Sequence, residues 1–164
     1  MTTDFPAHAE YLAFAETLAD QSRRMLLAVK GSAPKDDIKS DASFVTTADK
    51  AVEPALRAMI QETYPDHGIL GEEFNNINID ADFVGVLDPI DGTAAFVAGI
   101  PVYGTLIGLA WQGQPYVGVI DHPITSDRWT GVSGRMVEHN GTQVRVRACA
   151  SVETAYATCS IADL

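Results

Sequence analysis

The stretch Asp88-Pro89-Ile90-Asp91-Gly92-Thr93, with Gly71-Glu72-Glu73 upstream of it, gathers residue types that could do chemistry together. Three carboxylates, a backbone carbonyl and a hydroxyl pinned around one tight turn make an all-oxygen donor set. Hard divalent cations such as Mg²⁺ take such donors and keep room for water and a substrate phosphate. Pro89 fixes the backbone of a tight turn between the two aspartates, so both side chains can face one centre. A helix-like run over residues 91–98 begins there, and the amides of Gly92 and Thr93 would face the same point. A helix N-terminus accepts anions. Cations beside an anion hole point to phosphate-ester chemistry.

Alternation along Leu70-Gly71-Glu72 puts Leu70 and Glu72 on one side of a strand and favours Glu72 over Glu73 as the inward acid. Thr46, Thr47 and Asp49 form a further patch. On local spacing alone it reads first as a helix N-cap, Thr46 or Thr47 accepting from the amides that follow. His8, His67, His122 and His139 have no ligand spacing and read as surface or turn residues. Trp111 and Trp129 read as core or sheet-edge residues. Two other chemistries fail. A haloacid-dehalogenase-type phosphatase needs two aspartates one residue apart, and Pro89 stands two before Asp91. An EF-hand loop needs alternating acids with a terminal Glu, which are missing.

The elements that must hold these residues follow from periodicity. Tyr11, Phe14, Leu18, Met25 and Val29, with Leu12, Ala15 and Leu26 beside them, predict one amphipathic helix across the first thirty residues. Residues 31–39 read as a polar, mobile loop and 44–47 as a short extended piece. Val52, Leu56, Met59, Ile60 and Thr63 predict a second helix ending before Tyr64, starting near Lys50 or bending at Pro54. After Gly68 the period becomes strand-like. Strands are expected at 69–70, 83–87, 102–111, 116–120, 128–132, 135–138 and 144–146, with a last one starting at 155–160. Residues 75–82 read as a polar loop, and Gln112-Gly113-Gln114 and His139-Asn140-Gly141 as turns. Helices first and mostly antiparallel strands later predict a layered α+β fold rather than a doubly wound sheet.

With 164 residues, 46% of them apolar, the chain suits one domain with its own core. A formal net charge of −11 argues against nucleic acid or an anionic membrane surface as partner. Such a chain can take a phosphate only through bound cations, which invert the local sign. Cys149 and Cys159 are too few for a disulfide framework, and a reducing, cytoplasmic setting fits. No signal peptide is visible at the N-terminus. Residues 92–120 carry no formal charge, yet Pro101, Pro115 and repeated glycines break them into strands rather than a membrane helix.

Val45-Thr46-Thr47-Ala48-Asp49, Gly71-Glu72-Glu73, Asp88-Pro89-Ile90-Asp91-Gly92-Thr93 and Phe96, in this order and spacing, resemble the inositol monophosphatase family. Three stretches look more like its bacterial histidinol-phosphatase branch: Lys39-Ser40-Asp41, residues 99–109, and Gly118-Val119-Ile120-Asp121-His122-Pro123 followed by Arg128-Trp129. The resemblance implies an Mg²⁺-dependent phosphatase of small phosphomonoesters. It further implies that Glu72, Asp88 and the Ile90 carbonyl hold one Mg²⁺, and that Asp88 and Asp91 hold a second. Thr93 and Asp49 would orient and deprotonate the attacking water, and the Gly92 and Thr93 amides would receive the phosphate. Water would attack in line, with no phosphoenzyme.

Against the family pattern, Ala94 and Ala95 replace residues that are often basic or Asn, and Phe44 and Pro54 are atypical. By the same resemblance, the chain corresponds to an N-terminal α+β metal-binding domain over residues 1–164, without the family's C-terminal half. That half normally supplies another aspartate to the second cation and most of the substrate-recognition surface. A sheet cut there would leave an apolar face open, through which a homodimer could form. The leading expectation is hydrolysis of L-histidinol phosphate, with inositol 1-phosphate or another sugar phosphate as the alternative. A truncated, non-catalytic metal-binding module is the alternative from another class.

Overall fold

The computed structural model describes residues 8–29, 36–38, 44–135 and 137–156. Two helices lie on one face of a seven-stranded sheet. Helix α1 spans His8–Val29, and α2 spans Asp49–Thr63. The sheet runs in sequence order through β3 (Gly68–Gly71), β4 (Phe83–Asp91), β5 (Gly104–Trp111), β6 (Gln114–His122), β7 (Asp127–Val132), β8 (Val137–His139) and β9 (Thr142–Val144). Only β3 and β4 among these neighbours pair parallel; every other pair is antiparallel. The expected α+β layering is what the chain forms.

Amphipathicity drives the packing. Ala15, Leu18 and Leu26 of α1 and Val52, Leu56 and Ile60 of α2 bury against Ile69, Leu87, Ile107, Val117 and Val119 of the sheet. Each fully buried aliphatic side chain contributes about 1.5–3 kcal/mol. The strands alternate as a half-covered sheet must. On β4 Gly85 and Leu87 are buried beneath the helices, while Val86 faces the other way and is exposed. On β6 Val117, Val119 and Asp121 are buried and Gly118 and Ile120 exposed. Among the described residues no element covers that second face.

Several expected boundaries shift. Val29 is exposed, and the buried stripe of α1 instead takes in Ala19 and Ser22. Helix α2 starts at Asp49, next to Lys50 as expected, and runs through Pro54 without interruption. Part of the expected loop at 31–39 is a strand: β1 (Asp36–Ile38) pairs antiparallel with β2 (Phe44–Thr46). The other residues of that loop lie outside the described residues, as does the whole Lys39-Ser40-Asp41 stretch. Strand β9 ends at Val144, and Val146 is 97% exposed. Residues 155–156 are not strand, a short 3₁₀ turn at Val152–Thr154 precedes them, and 157–160 lie outside the described residues.

The two hairpin turns form as expected. Gln112 and Gly113 (φ 49° and 75°), like Asn140 and Gly141 (φ 49° and 74°), take the paired left-handed conformation that matches strand twist. Residues 92–120 fold into α3 (Thr93–Val97), β5 and part of β6, and no described helix is long and apolar enough to cross a membrane.

Candidate metal centre

The parallel pairing of β3 with β4 decides the site. Gly71 stands opposite Leu87, so the next residues on each strand, Glu72 and Asp88, leave the same edge side by side. Alternation sends both to the face without helices, together with Leu70 and Val86. Leu70 is 40% exposed and Ile69 is the buried residue, so Glu72 shares its side with a surface leucine. Glu72 is therefore not inward in the sense of the core; it is exposed and lies against Asp88.

The expected tight turn is instead a continuation of strand. β4 runs to Asp91, and its register with β5 slips between Asp88, opposite Leu106, and Asp91, opposite Gly104. Two residues thus face one, a bulge that re-aims the side chains on either side of it. Gly92 then adopts φ 83°, a conformation natural to glycine, and α3 starts at Thr93, later than expected. The hydroxyl of Thr93 donates to the Ile90 carbonyl at 3.0 Å, leaving its own lone pairs to accept from water.

Asp49 opens α2 and is fully buried. Its Oδ2 accepts from the Thr46 amide and the Thr46 hydroxyl, both at 2.8 Å. The Thr46 hydroxyl in turn accepts from the Ala48 amide at 3.1 Å, but the N-cap position falls to Ala48 and no side chain caps α2, so the expected Thr46 or Thr47 cap does not form. The other carboxylate oxygen, Oδ1, is buried without a hydrogen-bond partner, and so is Asp88 Oδ1. Such orphaned acceptors cost about 1–3 kcal/mol each, more when charged, unless something fills them.

Electrostatics ties the acids together. Burial, a hydrogen bond with Glu72, and the charges of Glu72, Asp91 and Asp49 push the Asp88 carboxyl up to about 8. Burial raises the Asp49 carboxyl too, with the charge of Glu72 adding to it and the Thr46 hydrogen bonds opposing it. Asp88 and Glu72 share a hydrogen bond, which requires a proton between two carboxylates. A divalent cation could replace that proton and satisfy the orphaned oxygens. The residues fit such an ion in charge and donor chemistry. As the side chains stand, no three His, Cys, Asp or Glu among the described residues surround a common point at ligand distance. The expected convergence is thus one of adjacency and charge, centred on Asp88.

The sequence reading missed three sets of buried polar groups behind this site. They are Glu53 with Arg57, Ser22 with Thr105, and Asp121 with its two arginines. A signal for the first was present: Glu53 and Arg57 stand one residue after Val52 and Leu56 on the buried side of α2. The histidines are also less peripheral than expected. His67 stacks between Tyr64 and Phe83, with ring centroids 4.5 and 5.0 Å away. His139 stacks on Trp129 at 4.4 Å and pairs with Asp127, and His122 Nδ1 lies 3.0 Å from the Tyr103 carbonyl.

A half-covered sheet carrying acids at the end of a parallel strand pair, beside a glycine-led helix start, defines an α+β protein with an acidic site at one end of the sheet. The model of the inositol monophosphatase family matches residues 7–162, and the chain belongs to that family. A bifunctional phosphatase (IMPL2, chloroplastic) of Arabidopsis thaliana is 42% identical over 150 residues, covering 89% of this chain and 43% of that protein. A histidinol-phosphatase of Mycobacterium tuberculosis is 42% identical over 99 residues, covering 60% of this chain and 38% of that protein. The crystal structure of the extragenic suppressor protein suhB from Bartonella henselae superposes with a TM-score of 0.81 at 29% identity, over 85% of this chain and 55% of that one. The chain spans about half the length of the relatives it matches.

Proposed function

We propose that this chain carries the cation and phosphate site of an Mg²⁺-dependent phosphomonoesterase acting on a small ester, L-histidinol phosphate in the first instance. The observation that carries it is Asp88: a half-buried carboxylate with an orphaned oxygen, crowded by Glu72, Asp91 and Asp49. Crowding of that kind is relieved either by a proton, as the raised Asp88 carboxyl shows, or by a bound cation.

In this reading Glu72, Asp88 and the Ile90 carbonyl hold one Mg²⁺, and Asp88 with Asp91 holds a second. Bound there, Mg²⁺ supplies charge neutralisation for the phosphoryl group and acidifies water. The chain's own residues do the rest. Thr93, its proton committed to Ile90, accepts from the attacking water and orients it. Asp49, its Oδ2 fixed by Thr46, keeps Oδ1 to receive the proton, and burial makes it a better base than an ordinary carboxylate. The Gly92 and Thr93 amides receive phosphate oxygens at the start of α3. Phosphoryl transfer needs mostly this kind of positioning and charge stabilisation.

The histidinol ester is favoured by similarity to the Mycobacterium tuberculosis histidinol-phosphatase; similarity to relatives named for inositol monophosphate supports the second reading, an inositol phosphate. Phosphate release by the chain in Mg²⁺ from histidinol phosphate and from inositol 1-phosphate, side by side, tests both. Faster turnover of the histidinol ester, abolished in D88N, is expected. Turnover unchanged in D88N rules out the site. Calorimetric Mg²⁺ binding with no release from either ester favours a non-catalytic module instead.

A further inference from the structure

Behind the sheet edge, α2 carries a buried ion pair whose outward bonds all end on one short segment. Glu53 is 0% exposed and Arg57 7%, one helical turn apart, and the Arg57 Nε donates to Glu53 Oε1 at 2.7 Å. The other Glu53 oxygen accepts from the Glu73 amide at 2.8 Å. The two terminal nitrogens of Arg57 donate to the carbonyls of Phe74 and Asn75, each at 3.0 Å. On the other side of Glu72, Gly71 lies so close that a Cβ there would strike both the Glu53 carboxylate and the Arg57 guanidinium. Glu72 is therefore bracketed. The residue before it is pressed against the pair, and the three after it are bonded to the pair.

A buried ion pair is a poor way to stabilise a fold, since apolar residues of similar volume do as well or better. This pair does something apolar residues cannot: it fixes the backbone of residues 73–75, which follow the end of β3 and belong to no named strand. We propose that Glu53 and Arg57 are a positioning pair that holds the Glu72 carboxylate against Asp88 for cation binding. The inference rests on the reading of Glu72 as a cation ligand, and deepens it. Groups that orient a ligand from behind are worth 10–100-fold in metal affinity, and the pair occupies that position for Glu72.

Mg²⁺ binding by calorimetry, with thermal melting in chelator as the control for folding, tests this. R57K keeps the charge, but a compact ammonium cannot reach Glu53 and two carbonyls in a planar fork. G71A intrudes on the pair without touching its charges. Both are expected to bind Mg²⁺ about 10- to 100-fold more weakly while remaining folded in chelator. A merely structural role would lower the melting temperature and leave the affinity of the folded protein unchanged; that result overturns the proposal. So would a failure of both variants to fold even in saturating Mg²⁺, because the pair would then be a condition of the fold. If only one folds, its affinity decides. E72Q separates the two levels. Unchanged Mg²⁺ affinity in E72Q removes Glu72 as a ligand and the reading with it. Weakened binding in E72Q beside normal binding in R57K and G71A removes the positioning pair alone.

Discussion

The Thr105 hydroxyl donates to the Pro89 carbonyl at 2.9 Å, closing the gap that the β4 bulge opens in the sheet. Pro89 and Ile90 together face Thr105, so strand pairing alone cannot satisfy both backbones there. Ser22 on α1 completes the arrangement: its Oγ lies 2.6 Å from the Thr105 hydroxyl, whose own proton is committed to Pro89, so Ser22 donates. Both hydroxyls are buried, at 0% and 1% exposure. A helix on one face of the sheet thereby steadies the Asp88–Asp91 segment on its edge.

Thr105→Val keeps the shape and removes the donor. The Pro89 carbonyl would be left buried and unpaired, at a cost of about 1–3 kcal/mol. Urea unfolding in chelator should show that loss, and Thr105→Ser should recover most of it. A valine variant as stable as the parent would show that the hydroxyl relay carries no weight.

Asp88→Asn should have opposite effects with and without the ion. The Asp88 carboxyl stands near 8 in the folded chain, above its ordinary 3.8, so the folded state holds that proton more tightly than the unfolded one. Stability from this group is present at low pH and is lost as pH rises from about 4 through 8. Asparagine removes the repulsion. In chelator at pH 8 the variant should melt higher than the parent and lose its pH slope across that window. In Mg²⁺ the order should reverse, because the variant forgoes the binding contribution, about 2.7 kcal/mol at a hundredfold excess over Kd. Parallel melting curves for the two proteins at every pH would contradict this.

Much of the fold was legible because its signals are local. The stripe on α1, the switch of period after Gly68 and the two glycine turns each sit within a few residues. The acids of the site were legible because Asp88, Asp91 and Glu72 flank strands whose apolar runs are clear. What escaped depends on partners far apart in sequence. The strand at Asp36–Ile38 exists because Phe44–Thr46 pairs with it, and nothing in its own composition announces it. Serine 22 looks like a polar interruption of an apolar stripe until Thr105, 83 residues away, is seen beside it. The bulge at Pro89 was invisible for the same reason, since a register slip belongs to two strands at once.

His67 should make the fold sensitive to mild acid. Burial among Tyr64, Phe83 and Tyr11 lowers its pKa below 6.5, only partly offset by the charge of Asp66. The folded chain thus resists the proton that the unfolded chain accepts. Stability from the neutral ring is complete above about 6.5 and declines as pH falls below it. His67→Phe keeps the stack and should abolish this part of the loss in melting temperature between pH 7 and 5. An NMR titration placing the His67 ring at or above 6.5 would refute the premise directly.

Asp121 joins α1 to the middle of the sheet, and its removal should cost more than that of either arginine. It is fully buried and accepts from Arg23 Nε at 2.9 Å, from the Arg23 terminal nitrogen at 2.6 Å and from Arg128 Nε at 2.6 Å. Arg128 reaches on to Asp20, 2.7 Å away. Asp121→Ala would strip Arg23 of its carboxylate and leave Arg128 with Asp20 alone, the two guanidinium groups being 23% and 18% exposed, with a loss of about 3 kcal/mol. Arg128→Ala leaves Arg23 bidentate on the carboxylate, so its cost should be clearly smaller. Replacing all three with apolar residues of similar volume should recover stability relative to Asp121→Ala alone, because no charge is then left buried without a partner. Equal losses for Asp121→Ala and Arg128→Ala in urea unfolding would mean that the two arginines act as one unit rather than as separate anchors.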